Sequence, residues 1–226
     1  MEGKHEICRM QILVVAATHH EIAPFIAGNK GVDILVTGIG VPATIYQLQK
    51  KIYSKPYDFI IQAGIAGAFS SNLTLGEVVL VEQDSFADLG MEERGNFTSI
   101  FNSAFMDEDE FPFCKGWLVN KTPVISTLHL PLVKGVTVNK VSDSMVQRQQ
   151  IIGNFSPQTE SMEGAAFHYV CLQEKIAFMQ VRSISNYVGE RDKTKWKMKE
   201  SILNLNEALF EIINRAVDIG STVSIN

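Results

Sequence analysis

The chain contains six apolar runs that predict buried β-strands. Residues 11–17 form a continuous run rich in β-branched side chains, which is typical of a strand covered on both faces. The predicted strands cover residues 11–17, 32–37, 58–63, 77–82, 135–141 and 176–182. Such strands indicate a sheet that lies between two other layers.

Helical spacing of apolar positions occurs between and after these runs. Residues 195–217 predict a long amphipathic helix, with apolar positions at Ile202, Leu205, Leu209, Ile212, Ile213 and Ala216. Shorter helices are predicted over residues 42–52 and 143–152. A further helix is predicted from His19, with Thr18 as its cap and Glu21 in its first turn.

Strands and helices alternate at both ends of the chain, and the middle is richer in strands. This order predicts a three-layer α/β/α domain with a mixed central sheet. Residues 88–116 lose periodicity and indicate a surface excursion. Nothing marks a second domain, so we expect one domain over residues 10–226 after a short extension over residues 1–9.

Composition argues against several classes of protein. The formal net charge is -5 and no long basic run occurs, which disfavours a nucleic-acid partner. Cys8, Cys114 and Cys171 form no CxxC pair, so a zinc site or disulfide framework is disfavoured and a reducing compartment is favoured. No apolar stretch is long enough to cross a bilayer, and residues 1–9 lack an apolar signal core. We therefore expect a cytoplasmic protein without a membrane partner.

Two glycine segments and a histidine pair have ordinary structural explanations beside functional ones. Gly38-Ile39-Gly40 resembles part of a dinucleotide-binding fingerprint, but a tight strand-to-helix turn is the favoured interpretation. Residues 64–67, Gly-Ile-Ala-Gly, allow a ligand to approach the backbone, as glycine turns without ligands also do. His19 and His20 are adjacent and point in different directions on a helix, so we expect no metal site.

Polar side chains stand at the ends of two apolar segments near the C-terminal end. The first segment is Glu160-Ser161-Met162-Glu163-Gly164-Ala165-Ala166 and the second is Arg182-Ser183-Ile184-Ser185-Asn186. An open α/β sheet binds its ligand at the carboxyl ends of its strands. A carboxylate such as Glu163 accepts from both hydroxyls of a ribose, although a surface Glu and a turn Asn would leave the same pattern.

In combination, these segments resemble the purine nucleoside phosphorylase and nucleosidase superfamily. The matching pieces are Ile12–Ala17 followed by Glu21, Thr37–Gly40, Gly64–Ala68, Leu75–Val79, Ser161–Ala166 and Arg182–Asn186. Within it, the chain is most similar to the futalosine hydrolases of menaquinone biosynthesis. That closer similarity lies in Glu160–Ala166, in Ile184–Asn186 followed by Val188–Asp192, and in Phe86–Gly90, Phe111–Phe113 and Leu118–Asn120.

The resemblance implies a nucleoside phosphorylase-like fold, hydrolysis of an N-glycosidic bond and a homodimer or larger homo-oligomer. It implies no cofactor and no metal. The catalytic residues that it implies are Glu21 as general base, Arg182 beside the water and Asn186 on the departing base. The implied substrate-binding residues are Ile65, Ala66, Gly67, Met162 and Glu163. Futalosine carries an aromatic carboxylate on its 5′ side, so a cation is expected nearby, and no residue is assigned to it.

The expected identity of the purine base rests on Asn186. Methylthioadenosine nucleosidases have Asp at this place, and a carboxyl group suits adenine, which offers N7 and a 6-amino donor. Hypoxanthine offers two acceptors, N7 and O6, to which an amide NH2 donates. Alternatives that stay open are a methylthioadenosine/S-adenosylhomocysteine nucleosidase, a purine nucleoside phosphorylase and a non-catalytic nucleoside-binding module, with a dinucleotide-binding oxidoreductase further away.

Overall fold

The structure is a computed structural model that describes residues 10–29, 31–103, 105–123 and 128–223, with side chains up to residue 215. Its strands are β1 Ile12–Ala16, β2 Asp33–Val36, β3 Phe59–Ala68, β4 Val78–Phe86, β5 Gly90–Glu93, β6 Asn96–Ser99, β7 Leu118–Val119, β8 Leu132–Thr137, β9 Thr159–Ser161 and β10 Ala177–Tyr187. Its α-helices are α1 Ala23–Gly28, α2 Val41–Ser54, α3 Met145–Phe155, α4 Gly164–Gln173 and α5 Met198–Val223, and Lys193–Lys195 form a 3-10 helix. The extension predicted for residues 1–9 lies outside the described residues. No helix of the described part is long and apolar enough to cross a membrane.

β3 lies at the centre of a mixed sheet. Its first half pairs in parallel with β1, and β1 pairs in parallel with β2. Its end pairs with β9 in the antiparallel direction, while its other edge pairs in parallel with β10. Pairings of β10 with β4, β4 with β8 and β8 with β9 then close a ring of five strands. The carboxyl ends of β1, β3 and β10 therefore meet at one edge of the sheet, next to β9.

Helices cover both faces of this sheet, because alternate side chains of each strand point to opposite faces. On one face, β1 residues such as Val14 pack with Phe25 of α1 and Leu209 of α5. On the other face, Leu13 packs with Leu48 of α2, and α4 contributes Phe167, Val170 and Cys171. The predicted three-layer α/β/α fold with a mixed central sheet is thereby confirmed.

The helix predicted from His19 begins later than expected. Residues 19–22 form a turn, and α1 begins at Ala23. Pro24 explains the difference, because a helix beginning at His19 would need an N–H from position 24, which proline does not have. Thr18 and Glu21, the expected cap pair, still bond to each other, since the N–H of Glu21 donates to Thr18 Oγ1 and the N–H of Thr18 donates to a Glu21 oxygen.

Two strand predictions also differ from the structure. Residues 64–67, predicted as a glycine turn after a strand, continue β3 and pair with β10 along their length. The strand predicted over residues 135–141 begins directly after Pro131 and ends at Thr137. It ends there because the N–H of Asn139 donates to the Asp88 carboxylate at 2.6 Å and so forms no hydrogen bond to a neighbouring strand.

Gly164, the first residue of α4, has no room for a side chain. A Cβ there would collide with Asp84 Oδ2 and Gln180 Nε2, two fully buried groups that hydrogen-bond to each other at 3.1 Å. We expect Gly164→Ala to destabilise the protein by about 1–3 kcal/mol, because buried side chains cannot swing away into solvent. At this chain length, each kcal/mol lowers the melting temperature by about 2–4 °C.

Gly153 in α3 offers a matched control for this thermal melt. A Cβ at Gly153 meets nothing within 4 Å, so Gly153→Ala is expected to raise stability by about 0.5–1 kcal/mol. Equal melting temperatures for the two variants would contradict the packing argument at Gly164.

Candidate active site

A cavity of about 400 Å³ opens at the edge of the sheet where β1, β3, β9 and β10 meet. It brings together segments that are far apart along the chain, from the β1 end to the segment before α5. Of the residues predicted for the site, Glu21, Ile65, Ala66, Gly67, Met162, Glu163 and Asn186 line it. Arg182 does not belong to this lining.

Glu21 is held at the cavity wall by three hydrogen-bond donors. Its Oε2 accepts from the N–H of Thr18 at 3.0 Å and from the Thr18 hydroxyl at 2.9 Å. Its Oε1 accepts from the N–H of Ile65 at 3.2 Å. Only 8% of Glu21 is exposed. The carboxylate is thus fixed in orientation while it borders the cavity, as a general base requires.

Arg182 lies behind the cavity wall and is only 2% exposed. Its Nη2 donates to Gln62 Oε1 at 3.0 Å, and its Nη1 donates to the carbonyl of Ile65 at 3.4 Å. The same Nη1 lies 3.9 Å from Glu163 Oε2. The guanidinium therefore supports the wall from behind, and its expected contact with the water stays a prediction.

Two glycines of β3 make room for these groups. A Cβ on Gly64 would collide with Arg182 Nη1 and lie 3.0 Å from Glu21 Oε1. A Cβ on Gly67 would lie 3.3 Å from Asn186 Nδ2. The glycines predicted to let a ligand approach the backbone also leave space for the side chains of Arg182, Glu21 and Asn186.

Glu163 is the second buried carboxylate of the cavity, with 5% of the residue exposed. Its Oε1 accepts from the N–H of Gly40 at 3.0 Å. Burial raises the pKa of Glu163, and the Arg182 charge and the Gly40 N–H work in the opposite direction. The carboxylate is oriented by one backbone donor and keeps lone pairs for further donors such as hydroxyl groups.

The Gly38-Ile39-Gly40 loop forms the strand-to-helix turn between β2 and α2 that was expected from the sequence. Gly38 and Gly40 have φ of 87° and 92°, a conformation that glycine adopts without steric cost. Since the Gly40 N–H already donates to Glu163, the turn is used to position a carboxylate.

Asn186 has a defined amide orientation at the end of β10. The Ser185 hydroxyl donates to Asn186 Oδ1 at 2.8 Å, and Asn186 Nδ2 donates to the carbonyl of Tyr187 at 3.1 Å. Because a backbone carbonyl only accepts, the NH2 group is assigned to the Tyr187 side. One N–H of this group remains for a ligand, and binding both N7 and O6 of a purine requires the amide to turn away from Tyr187.

A polar network lies buried beneath Arg182. Burial raises the pKa of Asp84 to about 6, although Gln180 and Thr137 donate to it. Burial lowers the pKa of His168 to about 4, so this imidazole is neutral at pH 7. Its Nδ1 lies 2.9 Å from the Leu118 carbonyl and must carry the proton. The Arg182 charge lowers the Asp84 pKa, so Asp84 and Glu163 both help to balance the guanidinium.

Several residues of the lining were not predicted from the sequence. His20, Ile39 and Val141 lie outside the helices and strands, Trp196 follows the 3-10 helix, and Met198 is the first residue of α5. Ile39 lies in the Gly38-Ile39-Gly40 turn, and the other four share no sequence signal that would have assigned them to the cavity. Glu160 also lines the cavity, and no role follows for it from the sequence. Within the described ranges no group of three or more His, Cys, Asp or Glu side chains is placed to hold a metal ion.

The fold and the cavity together define a protein of the nucleoside phosphorylase type. The sequence model of the Phosphorylase superfamily matches residues 12–218, and the chain belongs to this family. The chain is 30% identical to the futalosine hydrolase of Thermus thermophilus over 217 residues, which cover 89% of this chain and 94% of that protein.

Two solved structures share the fold at 15% sequence identity. The 5'-methylthioadenosine/S-adenosylhomocysteine nucleosidase of Helicobacter pylori has a TM-score of 0.78 and covers 92% of this chain and 99% of its own. The futalosine hydrolase of Helicobacter pylori has a TM-score of 0.75, with 91% and 98% covered. The expected resemblance to this superfamily, and to futalosine hydrolases within it, is confirmed.

Proposed function

We propose that this chain is an N-glycosidase that hydrolyses futalosine to hypoxanthine and dehypoxanthine futalosine, a step of menaquinone biosynthesis. The similarity to the Thermus thermophilus futalosine hydrolase supports this substrate. The amide of Asn186 in the cavity supports a 6-oxopurine as the leaving base, because its NH2 group donates to acceptors such as O6.

The charge of the cavity lining is the observation that supports hydrolysis over phosphorolysis. Glu21, Glu160 and Glu163 are three carboxylates in the described lining, which contains no Lys or Arg. Arg182 lies behind it and already faces Glu163 at 3.9 Å. A phosphate ion would be repelled by these carboxylates, and a neutral water molecule is not. The cavity therefore favours water over phosphate as the nucleophile.

The proposed reaction adds water to C1′ of the ribose as the bond from C1′ to N9 of the base breaks. Glu163 and Met162 hold the ribose, with the Glu163 carboxylate on its hydroxyl groups. Charge at C1′ becomes positive in the transition state, as in other glycoside cleavages. Glu21 takes the proton of the attacking water. The electron pair of the broken bond leaves with the base, and Asn186 stabilises the negative charge by donating a hydrogen bond. The departing base takes up a proton from solvent to become hypoxanthine, and Glu21 returns its proton to solvent.

A product assay tests this function. The protein is incubated with futalosine, inosine and methylthioadenosine in phosphate-free buffer and again with added phosphate. We expect hypoxanthine from futalosine without phosphate and no acceleration when phosphate is added. Adenine from methylthioadenosine as the main product would identify an adenosine-type nucleosidase instead. A strict need for phosphate would identify a phosphorylase, and survival of every nucleoside would indicate a binding module.

Assembly and location belong to the same proposal. We propose a homodimer or larger homo-oligomer, on the resemblance to the superfamily and on the exposed side chains of Ile39 at the cavity and Tyr46 in α2. We propose a cytoplasmic location, which the free thiols of Cys114 and Cys171 support. The division into an extension and one domain stays a prediction.

A further inference from the structure

Glu163 stands at the N-cap position of α4, but its side chain does not cap this helix. The first N–H groups of a helix have no partner within the helix and need acceptors from elsewhere. A Ser, Thr, Asp or Asn at the N-cap usually supplies one with its own side chain. The Glu163 carboxylate instead accepts from the N–H of Gly40 and borders the cavity. Other residues must therefore supply the acceptors for the start of α4.

Two strand ends supply these acceptors. The N–H of Gly164 donates to Ser161 Oγ at 3.2 Å, and the N–H of Ala165 donates to Thr137 Oγ1 at 2.7 Å. Thr137 is the last residue of β8, Ser161 is the last residue of β9, and the two are register partners. The first turn of α4 is thus held against the sheet directly after Glu163.

Asp84 determines how the Thr137 hydroxyl is used. Thr137 Oγ1 donates to Asp84 Oδ1 at 3.0 Å, and Gln180 Nε2 donates to Asp84 Oδ2 at 3.1 Å. A hydroxyl has one proton and two lone pairs, whereas an ionised carboxylate only accepts. Because the Thr137 proton is used on Asp84, the Thr137 oxygen presents lone pairs to the N–H of Ala165. Asp84 and Thr137 are both fully buried, so bulk water does not compete for these bonds.

We infer that Thr137 is a positioning residue for Glu163, because its hydroxyl, oriented by Asp84, caps α4 and leaves the Glu163 carboxylate free for the ribose hydroxyls. This inference rests on the proposed function, which places the ribose on Glu163. Without the Thr137 hydroxyl, the buried N–H of Ala165 loses its acceptor, and such a loss is costly. Either the first turn of α4 then moves or Glu163 turns toward the helix, and in both cases the ribose contact is lost.

Thr137→Val tests the inference, because it replaces the hydroxyl by a methyl group of similar size. We expect kcat/KM for futalosine hydrolysis to fall by about 10- to 100-fold, since even a small displacement of a substrate-positioning group is costly. The dissociation constant of hypoxanthine, which has no ribose, should change by less than about 2-fold. Thr137→Ser keeps the hydroxyl and should recover most of the lost kcat/KM. Steady-state kinetics and calorimetry measure the two quantities below the melting temperature of each variant.

Thr44→Val is the matched control. Thr44 is also a fully buried threonine, it lies in α2, and its hydroxyl has no hydrogen-bond partner among the described residues. This variant should change neither kcat/KM nor the affinity for hypoxanthine. A purely structural role for Thr137 would lower kcat/KM and the hypoxanthine affinity by the same factor and would overturn the inference. Unchanged kcat/KM in Thr137→Val, or an equal loss in Thr137→Ser, would overturn it as well.

A second measurement needs no variant and covers the case in which Thr137→Val does not fold. Coupling between two sites is reciprocal, so a ligand held by Glu163 must in return stabilise the hydrogen bond of the Ala165 N–H. Dehypoxanthine futalosine, the product that contains the ribose, should slow hydrogen exchange of the Ala165 amide by at least about 5-fold, and hypoxanthine should not. Equal exchange rates with the two ligands would overturn the inference.

Failure of the proposed function has a different signature. Wild type would then release no hypoxanthine from futalosine, and both proposals would be removed. If only the positioning role of Thr137 is wrong, wild-type turnover remains and the variants or the exchange rates alone depart from expectation.

Discussion

Glu21→Gln is expected to lower kcat for futalosine hydrolysis by about 10²- to 10⁴-fold. An amide is not a base, so the proton of the attacking water has no acceptor at this place. Binding of hypoxanthine should remain, since the base is held on the other side of the cavity by Asn186. Three donors point at the Glu21 carboxylate, and the amide NH2 must face one of them, so a stability loss of about 1–3 kcal/mol is expected as well. Steady-state kinetics in phosphate-free buffer and a thermal melt measure the two effects.

Glu77→Gln is the control for this variant, because the chain contains the same Thr-x-x-Glu turn outside the cavity. Glu77 Oε2 accepts from the N–H of Thr74 at 2.8 Å and from the Thr74 hydroxyl at 3.0 Å. This variant should lose some stability and keep its turnover. Full turnover in Glu21→Gln would remove Glu21 from the role of base.

Asn186→Asp is expected to change the preference for inosine over adenosine by at least about 100-fold in kcat/KM. The Ser185 hydroxyl can still donate to one carboxylate oxygen, but the other oxygen replaces the NH2 group. This second oxygen repels O6 of a 6-oxopurine and accepts from the 6-amino group of adenine. Competition between the two nucleosides in one reaction measures the ratio directly.

Asn204→Asp is the matched control for the amide. Asn204 Nδ2 donates to the carbonyl of Gly76 at 2.8 Å, outside the cavity, so its exchange should lower stability and leave the ratio unchanged. If Asn186→Asp lowered both activities by one factor, the assignment of Asn186 to base selection would fail.

Local sequence patterns were sufficient for the layers of the fold and for part of the cavity lining, including Glu21, Glu163 and Asn186. Apolar runs marked the strands that form most of the central sheet, because burial on both faces leaves a continuous signal. Polar residues that directly follow such runs must meet at one edge of a parallel sheet. Glu21 and Asn186 could therefore be placed in one site although most of the chain separates them. The start of α1 was missed although Pro24 marks it, because proline is disfavoured inside a helix and favoured in its first turn.

Tertiary structure decided what depends on strand register and on contacts between distant segments. β3 continues through Gly64 and Gly67 because β10 pairs with it there. Neither the β3 segment nor the β10 segment shows this pairing in its own sequence. The same register places Glu160 across Gly67 from Asn186 and puts Arg182 behind the wall, where it supports Glu163. The sequence by itself determined which residue types reach the ligand edge, since burial and side-chain chemistry are local properties. Only the folded sheet decided which of them face one another, because register is set by the packing of the whole core.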